Sequence, residues 1–248
     1  MKIKAPAKVN IYLKITGHDG FYHLINSRFM RVNDLYDEIE IIEAEKFNII
    51  SDVNCALRDN SVFKAYVALI QNYPDIREWF IGKEIRIKKN IPEMAGLGGG
   101  SSDAAAFLNL VNKESGLNLS KDELIEISKE IGSDVAFFIK DVDVANVYSR
   151  GEIVEEIDED ALDLEVFTPN IECSTKEVYN TYKQNFFNPQ KNIKFEKLSS
   201  KELLKEFNNY ELNDLLKPAL MIYPDLYKYL DKGFFSGSGS SFFNLKNA

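Results

Sequence analysis

The chain has 248 residues, enough to bury a large apolar core in one large domain or two modest ones. Its formal net charge of −9 argues against general affinity for nucleic acid or an anionic membrane, because both partners are negative too. A phosphate site would therefore be built locally, from backbone N–H groups and a few cations.

The two cysteines, Cys55 and Cys173, have no metal-binding spacing, and we expect reduced thiols in a cytoplasmic protein. The first residues alternate apolar and charged side chains, which is unlike a signal peptide. No apolar run approaches the ~20 residues of a membrane span. We expect neither a membrane nor a nucleic acid as partner.

Alternation of apolar and polar residues predicts a half-buried strand over residues 3–15. Every odd position is apolar, so Lys8 and Asn10 are expected to emerge together on the polar face. Pro6 is expected to break the strand or to mark a sheet edge. Residues 17–23 then predict a turn.

Periodicity and capping residues predict the next elements. They are strands at 37–45 and 84–88, helices at 61–72 and from Ser101, a helix capped by Ser120 and ended by Gly132, and a hairpin at 144–157 turning at Arg150-Gly151.

The acidic run at 155–165 predicts solvated surface and a domain boundary. Beyond it, a strand is predicted at 164–168, with helices near 176–184, 201–207 and 225–230. Because strands and helices mix without regular alternation, we predict an α+β class with domains at residues 1–155 and 156–248.

The strongest functional signal is P-E-M-A-G-L-G-G-G-S-S-D-A-A-A at residues 92–106. Four glycines in five positions let the backbone approach a bulky anion, and the following helix start favours phosphate. A flexible linker is the alternative, but linkers do not usually run into an Ala-rich helix. The loop is neither a Walker A loop nor G-x-G-x-x-G. Its missing lysine must come from elsewhere, and Lys8 is the candidate.

Five segments, in this order, resemble the GHMP kinase superfamily. They are P-A-K-V-N (6–10), D-G-F-Y-H (19–23), the glycine loop, G-S-D-V-A-F-F (132–138) and S-G-S-G-S-S (236–241). More closely, the chain is similar to the member that phosphorylates a cytidyl diphosphate alcohol in non-mevalonate isoprenoid synthesis. It departs from the family pattern at Met94, where glycine is usual, and at Ser133 and Ala136.

The resemblance implies a two-domain α+β GHMP kinase fold with the active site in the interdomain cleft. It also implies a left-handed βαβ crossover in the N-terminal domain, which pattern reading would not predict. ATP and Mg²⁺ are the implied cofactors. The metal ligands are not readable, apart from a nearby Ser102 hydroxyl.

The resemblance also assigns site residues. Asp134 is the implied general base, and Lys8 pairs with it and with the attacking hydroxyl or the γ-phosphate. From the residues alone, Asp134 could instead cap a helix or belong to a turn, and Lys8 could be solvated. The implied ATP-binding residues are Pro92, Glu93, Met94, Ala95, Gly96, Leu97, Gly98, Gly99, Gly100, Ser101 and Ser102.

The implied substrate-binding residues are Asn10, Tyr22, His23, Thr175 and Tyr179. Tyr179 could equally belong to the core. The loop at 236–241 is expected near the phosphates and Lys8, with a plain tight turn as the alternative.

Two alternative functions stay open at this point. One is a superfamily kinase for homoserine, mevalonate or a sugar, and another is a nucleotide-binding regulator without turnover. The oligomeric state is either monomer or homodimer. The role of residues 185–200 is also open.

Overall fold

The structure is a computed structural model that describes residues 1–52, 56–189 and 194–246. Cys55 and part of the polar segment at 185–200 lie outside the described residues. The chain forms two compact units. Unit 1 comprises Met1–Ala7, Asn33–Ile91 and Gly99–Asp141, and unit 2 comprises Lys8–Val32, Pro92–Gly98 and Val142–Ala248.

These compact units differ from a single division at residue 155. Two long strands, β1 (Lys2–His18) and β2 (His23–Glu43), each have residues in both units. The segment Pro92–Gly98 is compact with unit 2, although its neighbours in the chain belong to unit 1. The functional domain boundaries therefore stay a prediction.

Unit 1 contains the second half of β2 and further short elements. They are β3 (Asn48–Ser51), a 3₁₀ turn (Leu57–Asp59), α1 (Ser61–Asn72), α2 (Ile76–Trp79), β4 (Lys83–Lys88), α3 (Gly99–Ser115), α4 (Lys121–Ser128) and α5 (Val135–Lys140). Strand β4 is antiparallel to β2, with Glu38 opposite Lys88, and parallel to β3, with Asn48 opposite Glu84. Because α1 and α2 connect the parallel pair, this is a βαβ unit. Its hand stays a prediction.

Capping residues set the helices of unit 1. The predicted helix at 61–72 is confirmed, and the side chain of Asn60 accepts from the first free N–H groups of α1. The capping box of Ser120 and Glu123 is also confirmed. Helix α4 ends at Ser128 rather than at Gly132, because shorter hydrogen-bonded turns carry the chain on to Gly132. Helix α3 packs against α1 and α5.

Unit 2 contains the first half of β2 and the C-terminal elements. They are β5 (Val144–Ser149), β6 (Ile153–Glu156), β7 (Leu164–Phe167), α6 (Thr175–Asn185), a 3₁₀ turn (Phe195–Lys197), α7 (Ser200–Glu206), α8 (Asn209–Leu212), α9 (Leu216–Ile222), a 3₁₀ helix (Pro224–Lys232), β8 (Phe234–Phe235) and β9 (Phe242–Leu245). Strand β5 is antiparallel to β2, with Ile25 opposite Ser149, and the predicted hairpin between β5 and β6 is confirmed. A second sheet has the order β7-β9-β8.

Strand β1 corrects the sequence prediction. It is buried on both faces from Ala7 to Ile15, not half-buried, and Pro6 lies within it without breaking it. The odd-numbered side chains Leu13 and Ile15 join an apolar cluster with α6 and α9. The even-numbered side chains of Lys8, Asn10 and Tyr12 hydrogen-bond with one another or with β2, and Lys14 donates to Asp214. Polar residues at these positions therefore form an internal polar network.

The mixed α+β class is confirmed by this arrangement. Within the described ranges, no helix is both long enough and apolar enough to cross a membrane.

Candidate active site

Lys8 is buried on β1, and its ammonium is held by oxygen atoms of unit 2. Nζ donates to Asn10 Oδ1 at 2.7 Å and to the Gly96 carbonyl at 3.3 Å. It also lies 4.5 Å from the centre of the Phe29 ring. The predicted pair Lys8 and Asn10 is therefore brought together with the glycine loop, inside the protein rather than on a solvated face.

The serine-rich loop at 236–241 lies directly against Gly96. Ser236 Oγ donates to the Gly96 carbonyl at 3.0 Å, and Ser241 N donates to the Ala95 carbonyl at 3.1 Å. Gly96 has a φ of +73°, and a Cβ there would lie 2.2 Å from the Ser236 carbonyl oxygen. Only glycine fits this approach. The loop is both the turn joining β8 to β9 and a neighbour of the glycine loop.

Met94, at a position where glycine is usual in the family, has a strained backbone conformation. Its φ is +50°, in the left-handed region that favours glycine. A side chain in that conformation is strained by about 1–2 kcal/mol. The loop keeps its path at Met94 because the Met94 carbonyl accepts the Cys173 N–H at 3.0 Å.

The start of α3 belongs to unit 1 and rests on a buried ion cluster. Lys89 Nζ donates to Asp103 at 2.6 Å and also to Asp37, and the two carboxyl groups are buried while the Lys89 side chain is 11% exposed. A Cβ at Gly99 would lie 3.3 Å from Lys89 Nζ. The cluster therefore packs directly under the first residue of the helix.

Burial and charge set the pKa values in this cluster. Burial lowers the pKa of Lys89, but Asp103 and Asp37 outweigh it, so this pKa stands above its usual value. Burial raises the pKa of Asp103 to about 7, against the pull of Lys89 and with the help of Asp37. One ammonium between two carboxyl groups therefore leaves Asp103 partly protonated near neutral pH.

Asp134 lies at the N-cap of α5 in unit 1. Its side chain makes no capping hydrogen bond to the helix. The helix after it is apolar and buried, so the carboxyl group is held at the edge of the core. The side chain therefore does not cap the helix, but Asp134 lies in the turn before α5, which is the other alternative suggested by the sequence.

Ser102 lies in the first turns of α3, and its hydroxyl is buried. Among the described residues, Ser102 Oγ has no hydrogen-bond partner. Such groups are rare in native structures because each one costs desolvation energy. A ligand at the helix start is one way to satisfy it.

The rings of His23 and Tyr179, two of the predicted substrate-binding residues, pack against each other in unit 2. Their ring centres are 5.1 Å apart, and Tyr182 and Phe187 also pack around His23. Burial, with smaller contributions from His18 and Lys183, lowers the pKa of His23 to about 4. The imidazole is therefore neutral at physiological pH.

Tyr22 and Thr175 lie in different surroundings from this pair. Tyr22 is more than half exposed, and the Arg150 guanidinium lies 4.8 Å from its ring centre. Asp19 holds this turn by accepting the N–H groups of Phe21 and Tyr22, which lower the pKa of Asp19 to about 2. Thr175 Oγ1 is 2.8 Å from Ser238 Oγ, which connects α6 to the serine-rich loop.

Comparison with known proteins identifies the family. The model for the GHMP kinases N terminal domain matches residues 60–141. A 4-diphosphocytidyl-2-C-methyl-D-erythritol kinase of Sulfurimonas denitrificans is 46% identical over 99% of this chain and 98% of its own length. One of Campylobacter jejuni (strain RM1221) is 46% identical, covering 98% and 99%. The chain belongs to the 4-diphosphocytidyl-2-C-methyl-D-erythritol kinase family.

A solved structure supports the same assignment. The crystal structure of a 4-(cytidine 5'-diphospho)-2C-methyl-D-erythritol kinase has a TM-score of 0.80 and 27% identity, covering 100% of this chain and 91% of that chain. The predicted GHMP kinase fold is thereby confirmed. The protein is a kinase, a phosphotransferase that uses ATP as donor.

Several residues around the site of this kinase were not predicted. Ser27 is buried and accepts from the predicted site residue Asn10. Ser236 and Ser238 belong to the loop that was expected near Lys8, and they hydrogen-bond to Gly96 and Thr175. Asp37 and Lys89 belong to the ion cluster under the start of α3, but they lie 52 residues apart in the chain. The sequence signal for Ser27 and Asp37 was indirect, since each is a polar residue within a largely apolar strand.

Proposed function

We propose that this protein transfers the γ-phosphoryl group of ATP to the 2-hydroxyl of 4-diphosphocytidyl-2-C-methyl-D-erythritol, in the non-mevalonate isoprenoid pathway. The observation that carries the proposal is near-full-length identity of 46% to kinases of that name. This identity favours the cytidyl substrate over homoserine, mevalonate or a sugar.

Lys8 fits the electrostatic part of phosphoryl transfer. The reaction needs charge neutralisation at the transferred phosphoryl group more than covalent chemistry. An ammonium fixed by an amide oxygen and a backbone carbonyl is oriented in advance, so little reorganisation is needed during reaction. In this proposal Lys8 contacts the γ-phosphate or the acceptor hydroxyl.

Asp134 is the proposed acceptor of the hydroxyl proton. Its carboxyl group is not used for helix capping, and it stands at the head of a rigid apolar helix. A general base must be held in place to work, and a buried helix start does this. The pairing of Asp134 with Lys8 and the location of the site in a cleft stay predictions.

The phosphate loop is the proposed binding site for the ATP phosphates. In unit 1, α3 offers the free N–H groups of its first turn, a positive dipole end and two serine hydroxyls. In unit 2, the residues before it are fixed against the serine-rich loop. The residues from Pro92 to Ser102 retain their predicted role in this proposal.

Mg²⁺ is the proposed accompanying metal. In the described part of the chain, no group of three or more acidic, histidine or cysteine side chains could hold a metal. The unpartnered Ser102 hydroxyl fits a metal bound mainly by phosphate and water oxygens. When bound, Mg²⁺ would neutralise phosphate charge.

The cytidine base is the proposed ligand of the His23 and Tyr179 rings. Tyr179 offers an aromatic face for stacking, and a neutral imidazole can both donate and accept a hydrogen bond. Within the described residues, the buried His23 Nε2 has no hydrogen-bond partner. Asn10, Tyr22 and Thr175 keep their predicted substrate-binding roles, and a cytoplasmic monomer or homodimer stays a prediction.

A substrate panel tests the proposed function. ADP release is measured with ATP, Mg²⁺ and, in separate reactions, the cytidyl substrate, homoserine, mevalonate and galactose. We expect turnover with the cytidyl substrate alone. Turnover with another alcohol would replace the substrate assignment, and ATP binding without any turnover would indicate a regulator.

Replacing Asp134 tests the proposed base. Asp134→Asn should lower kcat by about 10²–10⁴-fold, which is what a general base typically contributes, while ATP still binds. Asp141→Asn, at the other end of the same helix, is the matched control and should keep wild-type kcat. Near-wild-type kcat in folded Asp134→Asn would remove this residue from the mechanism.

A further inference from the structure

We propose that Ser27 is a positioning residue that fixes the side-chain amide of Asn10 and, through it, the ammonium of Lys8. The inference rests on the proposed role of Lys8 in phosphoryl transfer. It assigns a function to a buried serine of β2 that lies outside the motifs carrying the family resemblance.

Ser27 hydrogen-bonds both to the backbone of β1 and to the site. Its hydroxyl donates to the Tyr12 carbonyl oxygen. It accepts from Asn10 Nδ2 at 2.9 Å, and Asn10 Oδ1 in turn accepts from Lys8 Nζ at 2.7 Å. Ser27 is fully buried, and Asn10 and Lys8 are 2% and 4% exposed. At this burial, bulk water does not reach the network to replace a lost partner.

The chemistry of these groups allows the network only one direction. A carbonyl oxygen carries no proton, so the Ser27 proton is committed to Tyr12. The remaining Ser27 lone pair accepts an N–H, so the NH₂ of Asn10 must face Ser27. Asn10 Oδ1 then faces Lys8, whose ammonium can only donate. If the Asn10 amide were flipped, its NH₂ group would face the Lys8 ammonium, and two donors would meet without an acceptor.

Ser27 thus fixes the side chain of Asn10, and Ser236 fixes its backbone. Asn10 N donates to Ser236 Oγ at 3.3 Å, and Ser236 Oγ donates to the Gly96 carbonyl that also accepts from Lys8. Without Ser27, the Asn10 backbone stays anchored but its amide loses the group that selects its orientation. We expect a misoriented Lys8 rather than an unfolded strand.

The test compares Ser27→Ala and Ser27→Thr with the wild type by ADP release and thermal unfolding. Small misplacement of a reacting group costs up to about 100-fold in rate. Ser27→Ala should lower kcat by about 10–100-fold and change the ATP KM by less than about threefold. Ser27→Thr keeps the hydroxyl and should restore kcat to within about threefold.

Ser128→Ala is the matched control, because Ser128 is equally buried and its hydroxyl donates to the Ile125 carbonyl at 2.7 Å, in α4. It should lower stability without lowering kcat. Equal kcat losses in Ser27→Ala and Ser128→Ala would overturn the positioning role, as would a folded Ser27→Ala with wild-type kcat. If Ser27→Ala does not fold, Ser27→Cys replaces it, since a thiol bonds weakly. Wild-type kcat in folded Ser27→Cys would also overturn the role.

Lys8→Met separates this inference from the proposed function beneath it. If Lys8→Met loses turnover and Ser27→Ala does not, only the positioning role of Ser27 fails. If Lys8→Met turns over normally, the proposed role of Lys8 fails first.

Discussion

Two lysines that are largely shielded from solvent, one in each compact unit, differ in the hydrogen bonds that hold them within that unit. Lys89 lies between two carboxyl groups, those of Asp37 and Asp103. Lys8 is held by the amide oxygen of Asn10 and the carbonyl of Gly96. Carboxylates cancel the charge of an ammonium, whereas amide and carbonyl oxygens orient it without cancelling it. We infer from this difference that Lys89 stabilises unit 1, whereas the hydrogen bonds of Lys8 orient it for its proposed role in phosphoryl transfer.

The surroundings of Lys89 fit a structural role. Asp37 also accepts the backbone N–H groups of Asn90 and Ile91, which lead into the phosphate loop. Asp103 lies on α3, which leads out of that loop. The ion cluster thus connects the chain before the loop with the chain after it.

The largest expected effect is on stability, in Lys89→Met. Removing one partner of a buried ion cluster leaves uncompensated charge and typically costs about 3–5 kcal/mol. We expect the free energy of unfolding in urea to fall by that amount. Lys129→Met, which removes an exposed ion pair with Glu126, is the control and should cost less than about 1 kcal/mol. Equal losses in the two variants would show that the Lys89 cluster stabilises the protein no more than an exposed ion pair does.

Lys8→Met should show the reverse pattern. Removing one preorganised charge-stabilising group typically lowers kcat by about 10²–10³-fold. The free energy of unfolding should fall by less than in Lys89→Met, by about 1.5–3 kcal/mol, since Asn10 Oδ1 loses a charged hydrogen-bond donor. ADP release and urea denaturation measure the two quantities on one preparation. A stability loss as large as that of Lys89→Met, with kcat kept, would make both lysines structural.

Much of the fold follows from local sequence, as the helix at 61–72 and the β5–β6 hairpin show. The alternation in β1 located a strand but not its burial, because polar side chains can be buried when they bond one another. Helices α8 and α9 were missed, since they have four and seven residues and α9 contains Pro218.

Motifs in the sequence pointed to some of the candidate site residues, such as Lys8, Gly96 and His23, and the roles of these residues stay predictions. The partners that position these residues were not predictable. Ser27 reaches Asn10 only through strand pairing, and Lys89 reaches Asp37 across 52 residues. Such contacts depend on tertiary structure, and no local pattern records them.

Tyr179→Ala tests whether unit 2, which contains Lys8, also binds the cytidine base of the acceptor substrate. Stacking of a base on an aromatic ring contributes roughly 1–3 kcal/mol. The KM for the cytidyl substrate should rise by about 10–100-fold, while the ATP KM changes little. Tyr179→Phe keeps the ring and should keep both values. If the ATP KM rises as much as the other, Tyr179 belongs to the core or to the nucleotide side.

The smallest expected effect is a pH dependence of stability in the Lys89 cluster. Burial, opposed by Lys89 and reinforced by Asp37, raises the pKa of Asp103 to about 7 from its ordinary 3.8. Between these two pH values the folded state keeps a proton that the unfolded state has lost, so stability falls as pH rises. The fall ends above about pH 7, where both states have lost the proton.

Asp103→Asn removes this titration and keeps an oxygen that can accept from Lys89. Its stability relative to the wild type should therefore increase from pH 5 to pH 8, by about 1–3 kcal/mol on the scale of 1.36 kcal/mol per pKa unit. Urea denaturation at pH 5, 6, 7 and 8 measures the difference, with Asp122→Asn at an exposed position of α4 as the control. Parallel profiles for wild type and Asp103→Asn would show that Asp103 stays ionised throughout. The cluster would then hold two full negative charges against one ammonium, and the structural role of Lys89 would be larger than its pairing with Asp37 alone implies.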